Sequence, residues 1–421
     1  MRGAASLRLF HDPSFRALWL GQLVSIFGDR FTYLALLAVV VERAHTPGNP
    51  AAELALIPLV SFLPSILFSP LAGALVDGWN TRRVLVVSDA ARGVIVLLLI
   101  PATLRGGLPA AFALVFILYL ANSFFLPARS AILPDLVPAD RLVEANSLAT
   151  LAGVIATIAG SIAGGAAIER WGWRIGFALD AVTYFVSAAA LALIRVPAKA
   201  PRAAAADAVG RPYRALLADV REGARVTLAS GRALGAIGAI VLLWIAGGTL
   251  HVAVPLLLQR RGAGVVSGVG TILAAAACGM VIGTLLLAAR GRGRSSWTRI
   301  AWGLSGTGAA LAAFALSRSR AADLAIAFGA GVFVAILLVT TEAVLQESVA
   351  ATARARVFAL RDFAARLLVL LAAGLTGASL AHAWTTPGAA VIAAGALVVT
   401  GGIAIAARPR GMDRSRTAGE R

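Results

Sequence analysis

One polar stretch between two long apolar runs decides how the chain can be placed in a membrane: Gly73-Ala74-Leu75-Val76-Asp77-Gly78-Trp79-Asn80-Thr81-Arg82-Arg83. The stretch is too polar to cross a bilayer, so it connects two spans at one membrane face. Gly73 is small enough to let a neighbouring helix come close. Asp77 and the guanidiniums of Arg82 and Arg83 can form charge-assisted hydrogen bonds that hold helices together in one state and release them in another. These features suit a gate, although a solvated loop that obeys the charge rule for cytoplasmic segments explains the same residues.

The composition of the whole chain is that of a polytopic membrane protein. Of its 421 residues, 59% are hydrophobic and 14% are charged, whereas a soluble protein carries about 25% charged residues. Many apolar runs follow one another, each long enough to be a candidate transmembrane helix. The net charge of +18 comes from arginines beside these runs, where lipid headgroups and topology explain it better than nucleic acid does.

The cysteines and histidines give no sign of a disulfide framework or a metal site. Cys278 is the single cysteine and lies in an apolar run, and the four histidines are scattered without ligand spacing. We therefore expect no metal and no cofactor. The apolar run that ends near Val41 is too long for a signal-peptide core, so we interpret it as a retained first helix.

Twelve spans fit the apolar pattern, and an even number puts both termini on one side of the membrane. The predicted ranges are 15–42, 52–77, 83–104, 108–128, 142–168, 173–195, 232–259, 264–289, 297–317, 321–347, 355–380 and 386–407. Of the 38 basic residues, about 27 fall in the termini and the even-numbered connections and about 8 in the odd-numbered ones. The positive-inside rule then places both termini in the cytoplasm, with the chain spanning the inner or plasma membrane.

One connection differs from the others and divides the chain into two halves. It is polar at first and then places Leu216, Leu217, Val220 and Ala224 at helical spacing, with charges elsewhere on the wheel. We expect an amphipathic cytoplasmic helix there. The predicted organisation is a six-helix bundle over 1–195, a linker over 196–231, a second six-helix bundle over 232–407 and a cytoplasmic tail over 408–421.

The two halves echo each other in sequence. Residues 132–139 lead from span four to span five and residues 344–351 from span ten to span eleven, with hydrophobic and acidic positions in phase. Arg16-Ala17-Leu18 before span one also recurs as Arg232-Ala233-Leu234 before span seven. These echoes favour duplication, and paired six-span repeats predict a substrate site at their interface.

At these residues the sequence resembles the major facilitator superfamily. The positions of the opening stretch that match the family's signature between spans two and three are Gly73, Leu75, Asp77, Arg82 and Arg83. Residues 15–22, 127–138 and 144–146 look like the exporter branch that includes siderophore exporters and macrolide-efflux proteins. The resemblance implies an all-α membrane protein with twelve transmembrane helices in two pseudo-symmetric six-helix bundles, acting as a transporter and not as an enzyme.

Span five carries small residues that resemble the superfamily's antiporter signature. Gly160, Gly164 and Gly165 match it, whereas Ser161 stands where the family usually has proline and Ala156 where it has glycine. Several glycines on one helix also allow bending and close packing against a neighbour. An antiporter motif and a plain packing face therefore both stay open.

Asp29 and Arg30 lie near the middle of span one, where an ionisable group is costly and usually faces a cavity or a partner. Asp29 could alternate between protonated and ionised forms as access changes sides, so this pair is the first candidate for a coupling or substrate site. A fixed ion pair that only orders helices is the alternative. Asp180 and Tyr184 in span six resemble a family pattern, and we interpret them as structural.

Further candidates for contact with the substrate combine polar, aromatic and charged groups, as an amphiphilic ligand pocket needs. They are Asn122, Phe125, Trp244, His251, Asp362 and Arg366. Asp362 and Arg366 lie one turn apart in span eleven, and Arg366 is deep enough to meet an anionic substrate or Asp29. Simple packing explains each of the uncharged groups equally well.

A second charged pair lies one turn apart in the inner part of span three. Helical spacing lets Asp89 and Arg92 pair with each other, or with Asp77 and Arg129 at nearby helix ends. We interpret these residues as scaffolding of the gate.

The sequence thus predicts secondary active transport by alternating access, with efflux of a drug-like, macrolide-like or siderophore-like molecule as the leading function. The sequence lacks the pattern Gly-x-x-x-x-Gly-Lys-Ser/Thr, so an ion gradient is the expected energy source and protons are the first choice. Uptake by the same fold is the alternative, and a non-transporting membrane protein is less favoured. The expected partners are a small-molecule substrate, protons and membrane lipid, without nucleic acid, and we expect a monomer.

Overall fold

The computed structural model describes residues 7–42, 49–76, 78–195, 210–262, 264–290 and 296–407, and within these ranges it contains helices and no strand. The helices of the first half are α1 (Pro13–Glu42), α2 (Pro50–Val76), α3 and α4 (residues 81–106 and 108–136 of Thr81–Leu136), α5 (Leu142–Trp171) and α6 (Trp173–Ala192). The helices that follow are α7 (Gly210–Ala229), α8 (Gly231–Arg260), α9 (Val265–Arg290), α10 (Ser296–Leu316), α11 (Arg320–Ser348), α12 (Ala351–Ala381) and α13 (Pro387–Ala406).

The helix Thr81–Leu136 is two membrane crossings joined at a glycine. An unbroken helix of 56 residues would be about 84 Å long, far more than the roughly 30 Å of a hydrocarbon core. Gly107 breaks it with φ 68° and ψ −161°, a conformation that side chains disfavour. Arg92 and Asn122, on either side of the break, are hydrogen-bonded, so the chain turns back on itself.

Twelve crossings result, as the sequence predicts. Ten described helices are long and apolar enough to cross a membrane, with α3 and α4 counted as one and α10 not included. The break at Gly107 separates α3 from α4, and α10 runs between α9 and α11 and packs along α11 and α13. The predicted fold class is confirmed. We call the face that holds His11 and Ala406 the terminal face and the opposite one the far face.

Side-chain caps start several of the helices. Asn80 precedes α3 and accepts a hydrogen bond at Oδ1 from the backbone N–H of Arg83 at 3.0 Å. Hydroxyl oxygens of three other residues accept bonds in the same way at the starts of α8, α11 and α13, namely Ser230, Ser319 and Thr386. Such caps satisfy backbone donors that have no partner within the helix.

The two halves share one apolar core near the far face. Residues 34–40 of α1 are buried on all sides, and their cluster includes Leu54 of α2 together with Val252, Val265 and Ala373 of the second half. In the described residues, the clusters nearest the terminal face in the first half contain only residues of that half. The halves therefore meet at the far face and have separate cores toward the terminal face.

Glycines bring the helices of the two halves into close contact near the far face. A Cβ atom placed on Gly377 of α12 would lie 2.6 Å from Ala55 Cβ and 2.9 Å from the carbonyl oxygen of Ala51, both on α2. A Cβ atom on Gly165 of α5 would lie 3.0 Å from Ser267 Cα of α9. We call these contacts the α2–α12 seam and the α5–α9 seam. They close the far face, so the space between the halves opens toward the terminal face.

The helix α7 connects the halves at the terminal face and packs on the start of α12. A Cβ atom on Gly223 would lie 2.5 Å from the carbonyl oxygen of Arg356, so only glycine permits this approach. Arg356 also forms an ion pair with Asp219, with Nε and Oδ1 3.1 Å apart. The linker thus contacts the first turns of α12 through both its backbone and its charges.

Candidate functional site

A buried ion pair of the first half lies on α3. Asp89 and Arg92 form an ion pair, and their side chains are 0% and 3% exposed. Ser187 of α6 donates a hydrogen bond from Oγ to Asp89 Oδ2 at 2.6 Å. Helical spacing allowed several pairings, and the structure shows the one between Asp89 and Arg92. The hydrogen bond from Ser187 ties this pair to α6.

Polar and aromatic groups surround the guanidinium of Arg92. Its NH1 donates to Asn122 Oδ1 at 3.2 Å, and its Cζ lies 4.3 Å from the ring centroid of Phe125 and 4.6 Å from that of Tyr184. Ring faces attract cations, most strongly where water is excluded. Asn122 and Phe125, candidates for lining a ligand pocket, lie against Arg92, and their contact with a substrate stays a prediction.

Asp29 faces α6 and does not pair with its neighbour. Tyr184 Oη donates to Asp29 Oδ1 at 2.5 Å. Successive residues of a helix point about 100° apart, and Arg30 accordingly lies against α5, where its Cγ would be 3.0 Å from a Cβ on Gly160. Among the described residues Arg30 has no ion pair, and its Nε is buried without a partner. The alternative of a fixed ion pair between Asp29 and Arg30 is therefore wrong.

Asp180 of α6 completes the group of buried acids. Its side chain is fully buried and lies directly against Gly28, where a Cβ would be 2.3 Å from Asp180 Oδ1. Thr183 Oγ1 donates to the carbonyl oxygen of Asp180 at 2.7 Å and lies 3.1 Å from Oδ1, while Oδ2 has no partner among the described residues. A carboxylate one turn before Tyr184 in an apolar span was the sequence signal for this site.

These acids and one arginine form a single group, which we call the aspartate cluster: Asp29, Asp89, Asp180 and Arg92. Both Asp29 and Asp180 interact electrostatically with Arg92, which also pairs with Asp89. Asp89 pairs directly with Arg92, and Asp29 is linked to the same guanidinium through Tyr184, which donates to Asp29 and stacks on Arg92. Burying an uncompensated ion costs on the order of several kcal/mol, so the charge states of these groups depend on one another.

A contact between α1 and α8 joins the two halves on the far-face side of the aspartate cluster. Tyr33 Oη and His251 Nδ1 are 3.4 Å apart, and the two ring centroids are 5.4 Å apart. Trp244, two turns nearer the terminal face on α8, is 39% exposed. His251 therefore belongs to the junction of the two halves, while Trp244 does not lie in the core.

Asp362 and Arg366 of α12 have different surroundings. Asp362 Oδ1 accepts hydrogen bonds from the side chain of Arg361 at 2.9 and 3.0 Å, and Arg361 also pairs with Glu342 of α11. Arg366 has no ion pair or hydrogen bond among the described residues and is half-buried. Arg361 lies between two acids and holds Asp362 near the terminal face, and contact of Asp362 or Arg366 with a substrate stays a prediction.

The polar stretch between α2 and α3 is only partly described. Asp77 lies outside the described residues. Arg82 donates a hydrogen bond to the carbonyl oxygen of Ala192 on α6, and Arg83 is exposed. A Cβ on Gly73 would meet nothing within 4 Å. The close helix contact expected at Gly73 is not found among the described residues.

Arg129 lines a cavity of about 220 Å³ near the terminal face, between α1, α4 and α5. Aromatic and polar side chains share the lining, among them Phe15, Trp19, Gln22 and Asn146. Trp19 Nε1 donates to the carbonyl oxygen of Leu148 at 2.9 Å, which fixes one wall. Helical spacing allowed Arg129 to pair with Asp89, but Asp89 pairs with Arg92 and forms no ion pair with Arg129.

The small residues of α5 face two different helices. Gly160 and Gly164 lie against α1, where Cβ atoms would be 2.5 Å from the carbonyl oxygen of Phe27 and 3.4 Å from Phe31. Gly165 belongs to the α5–α9 seam. The packing interpretation of these glycines agrees with the contacts, and the antiporter interpretation stays a prediction.

Comparison with known proteins identifies the family. The family model described as Major Facilitator Superfamily matches residues 18–328, which is well over half of the chain. The chain belongs to the major facilitator superfamily. This identification agrees with the resemblance seen at the opening stretch and at residues 127–138.

Curated relatives of this superfamily member are transporters and are distant in sequence. Macrolide efflux protein A of Streptococcus pyogenes is 24% identical over 46% of this chain and 47% of its own length. A protein described as a putative bacilysin exporter, BacE of Bacillus amyloliquefaciens, is 32% identical over 44% of this chain and 45% of its own. The lysophospholipid transporter LplT of Yersinia enterocolitica is 26% identical over 56% and 54%. The chain spans about half the length of the curated relatives it matches.

Solved structures share the architecture of the chain. A peptide transporter POT solved in complex with sulfate superposes with a TM-score of 0.72 at 16% identity, over 94% of both chains. The nucleoside transporter NupG (D323A mutant) gives a TM-score of 0.69 at 12% identity, over 93% of this chain and 99% of that one. At these identities the likeness concerns the fold alone.

Proposed function

We propose that this superfamily member exports a small organic molecule from the cytoplasm by alternating access, driven by protons. The observation that carries the proposal is the aspartate cluster, in which Asp89 pairs with Arg92 and Asp29 is linked to Arg92 through Tyr184 at membrane depth. Ionisable groups at this depth are costly and usually serve transport.

The route for protons starts at Asp29. Its side chain is half-buried, whereas Asp89 and Asp180 are fully buried. Tyr184 bonds to Asp29 and stacks on Arg92, so a change in the charge of Asp29 acts on the whole cluster. Asp29 is therefore the proposed coupling residue, and the two inner acids are its partners.

The conformation suits loading from the cytoplasm. Both seams close the far face, and basic residues concentrate in the connections of the terminal face, which the positive-inside rule assigns to the cytoplasm. The central space then receives substrate from inside, as an exporter requires at the start of its cycle. The names of the macrolide and bacilysin relatives support the same direction.

The proposal is tested by a growth-inhibition panel in an efflux-deficient bacterial host. Cells expressing the wild-type chain should tolerate a higher concentration of at least one compound, and Asp29→Asn should remove that tolerance at an equal level of protein in the membrane. Asn keeps the hydrogen bond from Tyr184 but cannot carry a proton. Asp140→Asn is the matched control, because Asp140 is exposed in the connection after α4.

Two results would contradict the proposal. Equal tolerance in the wild type and Asp29→Asn would remove the proton role, and persistence of efflux after the proton gradient is collapsed would remove the energy source. Accumulation of the compound in cells expressing the wild-type chain would instead support uptake.

A further inference from the structure

We propose that the cavity between α1, α4 and α5 is a binding site for a phosphate-type oxyanion, either a free anion or the phosphate of a lipid headgroup. Arg129 supplies the positive charge of this site and Gln22 supplies a further hydrogen bond. All the residues that line the cavity belong to the first half, so the site lies within one bundle. The proposal is independent of the direction and the energy source of transport.

The cavity lies where the hydrocarbon region gives way to headgroups at the terminal face. Phe15 is near the start of α1 and Asn146 is in the second turn of α5, and both line the cavity. On α4 the lining begins with Arg129, the first residue after the apolar run that ends at 128. Phosphates of lipid and anions of the solution are both present at this depth.

Arg129 brings an uncompensated charge to the cavity. It is half-buried and has no ion pair or hydrogen bond among the described residues. Asp89, a described acid with which it could have paired, is bound to Arg92. Among the described residues that line the cavity, none carries a carboxyl group. A guanidinium has five N–H donors in a planar fork that matches the oxygens of a phosphate, so an oxyanion fits this position.

Gln22 gives an independent indication of a ligand. Its side chain is only 4% exposed and lines the same cavity. The amide has no hydrogen-bond partner among the described residues, and neither of its polar atoms is sealed within the packing, so it faces the cavity. A polar group that is buried without a partner is costly. An amide in this place therefore predicts a hydrogen-bonding ligand beside Arg129.

The other polar side chains of the lining already use their donors. Ser130 and Asn146 donate hydrogen bonds to carbonyl oxygens of their own helices, at 3.2 and 2.9 Å. Trp19 donates to a carbonyl oxygen of α5 at 2.9 Å. The side-chain donors that remain free in the lining are those of Arg129 and Gln22, and two donors that face one cavity suit a single acceptor group.

The walls of the cavity are rigid and its volume is small. The ring of Phe10 contacts those of Trp19 and Phe15 edge-on, with centroids 5.1 and 5.7 Å apart, and Trp19 is also fixed by its hydrogen bond to α5. Such order lowers the cost of binding. The volume of about 220 Å³ is below the roughly 300–1,000 Å³ of pockets for drug-sized molecules, so it suits a small anion or one headgroup.

Thermal stabilisation of the purified chain in detergent tests the site. The probes are inorganic phosphate, anionic dioctanoyl phosphatidylglycerol and zwitterionic dioctanoyl phosphatidylcholine. Phosphate or phosphatidylglycerol should raise the thermal midpoint of the wild type in a saturable manner. Arg129→Gln should weaken this binding by about tenfold or more, because it removes a charged donor. Arg16→Gln removes an exposed arginine of α1 at the same face and should bind as the wild type does.

Two further variants separate a ligand site from a folding defect. Gln22→Leu removes an unpartnered amide from a buried position, so without ligand this variant should be at least as heat-stable as the wild type. It should nevertheless bind the probe about threefold to tenfold more weakly, because one neutral hydrogen bond is lost. Arg129→Lys keeps the charge without the fork and should bind with intermediate affinity.

The probes also separate the two sources of the ligand. Stabilisation by phosphate and phosphatidylglycerol at similar concentrations assigns the site to a free oxyanion, stabilisation by the lipid alone assigns it to a headgroup, and either supports the site. Phosphatidylcholine controls for binding of acyl chains. The inference would be overturned if no probe stabilised the wild type, if Arg129→Gln and Arg16→Gln had equal effects, or if both lipids still bound Arg129→Gln with wild-type affinity.

Discussion

The two halves of the chain have six crossings each but place their charges differently. The first half holds the aspartate cluster at membrane depth, tied across α1, α3 and α6. Among the described residues, the ion pairs of the second half lie toward its ends. Arg261 pairs with Asp323 at the far face. Toward the terminal face, Arg232 pairs with Glu347, and Arg361 pairs with Glu342 and Asp362. A repeated backbone therefore does not require repeated chemistry. The first half gathers its buried charges into one cluster, and the second half presents Arg366 without a partner among the described residues.

The largest expected difference between the halves concerns stability. Arg92→Gln should destabilise the fold by about 3–5 kcal/mol, because it leaves Asp89 buried without its counter-ion. Arg232→Gln should cost about 1 kcal/mol or less, because its pair with Glu347 is exposed, with the nitrogen and oxygen 3.6 Å apart. Unfolding in a denaturing detergent, followed for both variants, measures the contrast. Equal losses would show that burial of the cluster does not matter.

A second prediction addresses the closure at the far face. Gly377→Val should force α12 away from α2, since a Cβ there lies within 2.9 Å of two atoms of α2, and overpacking of this kind costs about 1–3 kcal/mol. The readout is the reaction of Ala373→Cys with a membrane-impermeant maleimide added to the far face, in a Cys278→Ser background. The buried cysteine should react only when Gly377→Val is present.

The matched control for the seam is Gly374→Val, on the same helix, where a Cβ meets nothing within 4 Å. In this variant, the cysteine introduced by Ala373→Cys should remain unreactive toward the maleimide. Labelling in the absence of any glycine substitution would show that the α2–α12 seam is not closed.

A third prediction concerns the far end of the second half. The Arg261 guanidinium donates to the carbonyl oxygens of Phe314 and Ala315 at 2.9 Å and pairs with Asp323. Arg261→Gln should therefore cost about 1–2 kcal/mol, allowing for partial exposure. Arg260→Gln, at the exposed neighbouring position, should leave thermal stability unchanged, and a similar effect of the two would exclude this role for Arg261.

The smallest effect is expected where the linker meets the second half. Asp219→Asn removes the ion pair with Arg356, in which both side chains are about half exposed, so it should change stability by roughly 0.5 kcal/mol or less. The close packing of Gly223 against Arg356 holds α7 on α12 instead. A thermal midpoint several degrees below that of the wild type would give the ion pair a larger role.

Apolar length predicted the crossings, but it did not predict where each helix ends. The span expected to end at 128 continues to Leu136, because α4 tolerates Pro127 and Pro134 within the helix. The span expected to begin at 355 starts at Ala351. Hydropathy reports the thickness of the hydrocarbon region, whereas helices extend beyond it wherever their backbone hydrogen bonds can continue.

The site was predictable in its members and not in their pairings. The depth of Asp29 and the spacing of Asp89 and Arg92 were visible in the sequence. Spacing could not reveal that Tyr184 bonds to Asp29, since this contact joins α1 to α6 across 155 residues. Spacing also could not reveal that Asp362 bonds to Arg361, which pairs with Glu342 on a neighbouring helix.

Proton movement during transport tests the central role of Asp29 most directly. The purified chain is placed in proteoliposomes with a trapped pH-sensitive dye, and the compound most strongly excluded in the growth panel is added. The wild type should move protons when substrate is added, while Asp29→Asn should exchange substrate down its own gradient without a proton signal. An equal proton signal from Asp29→Asn and the wild type would contradict the account.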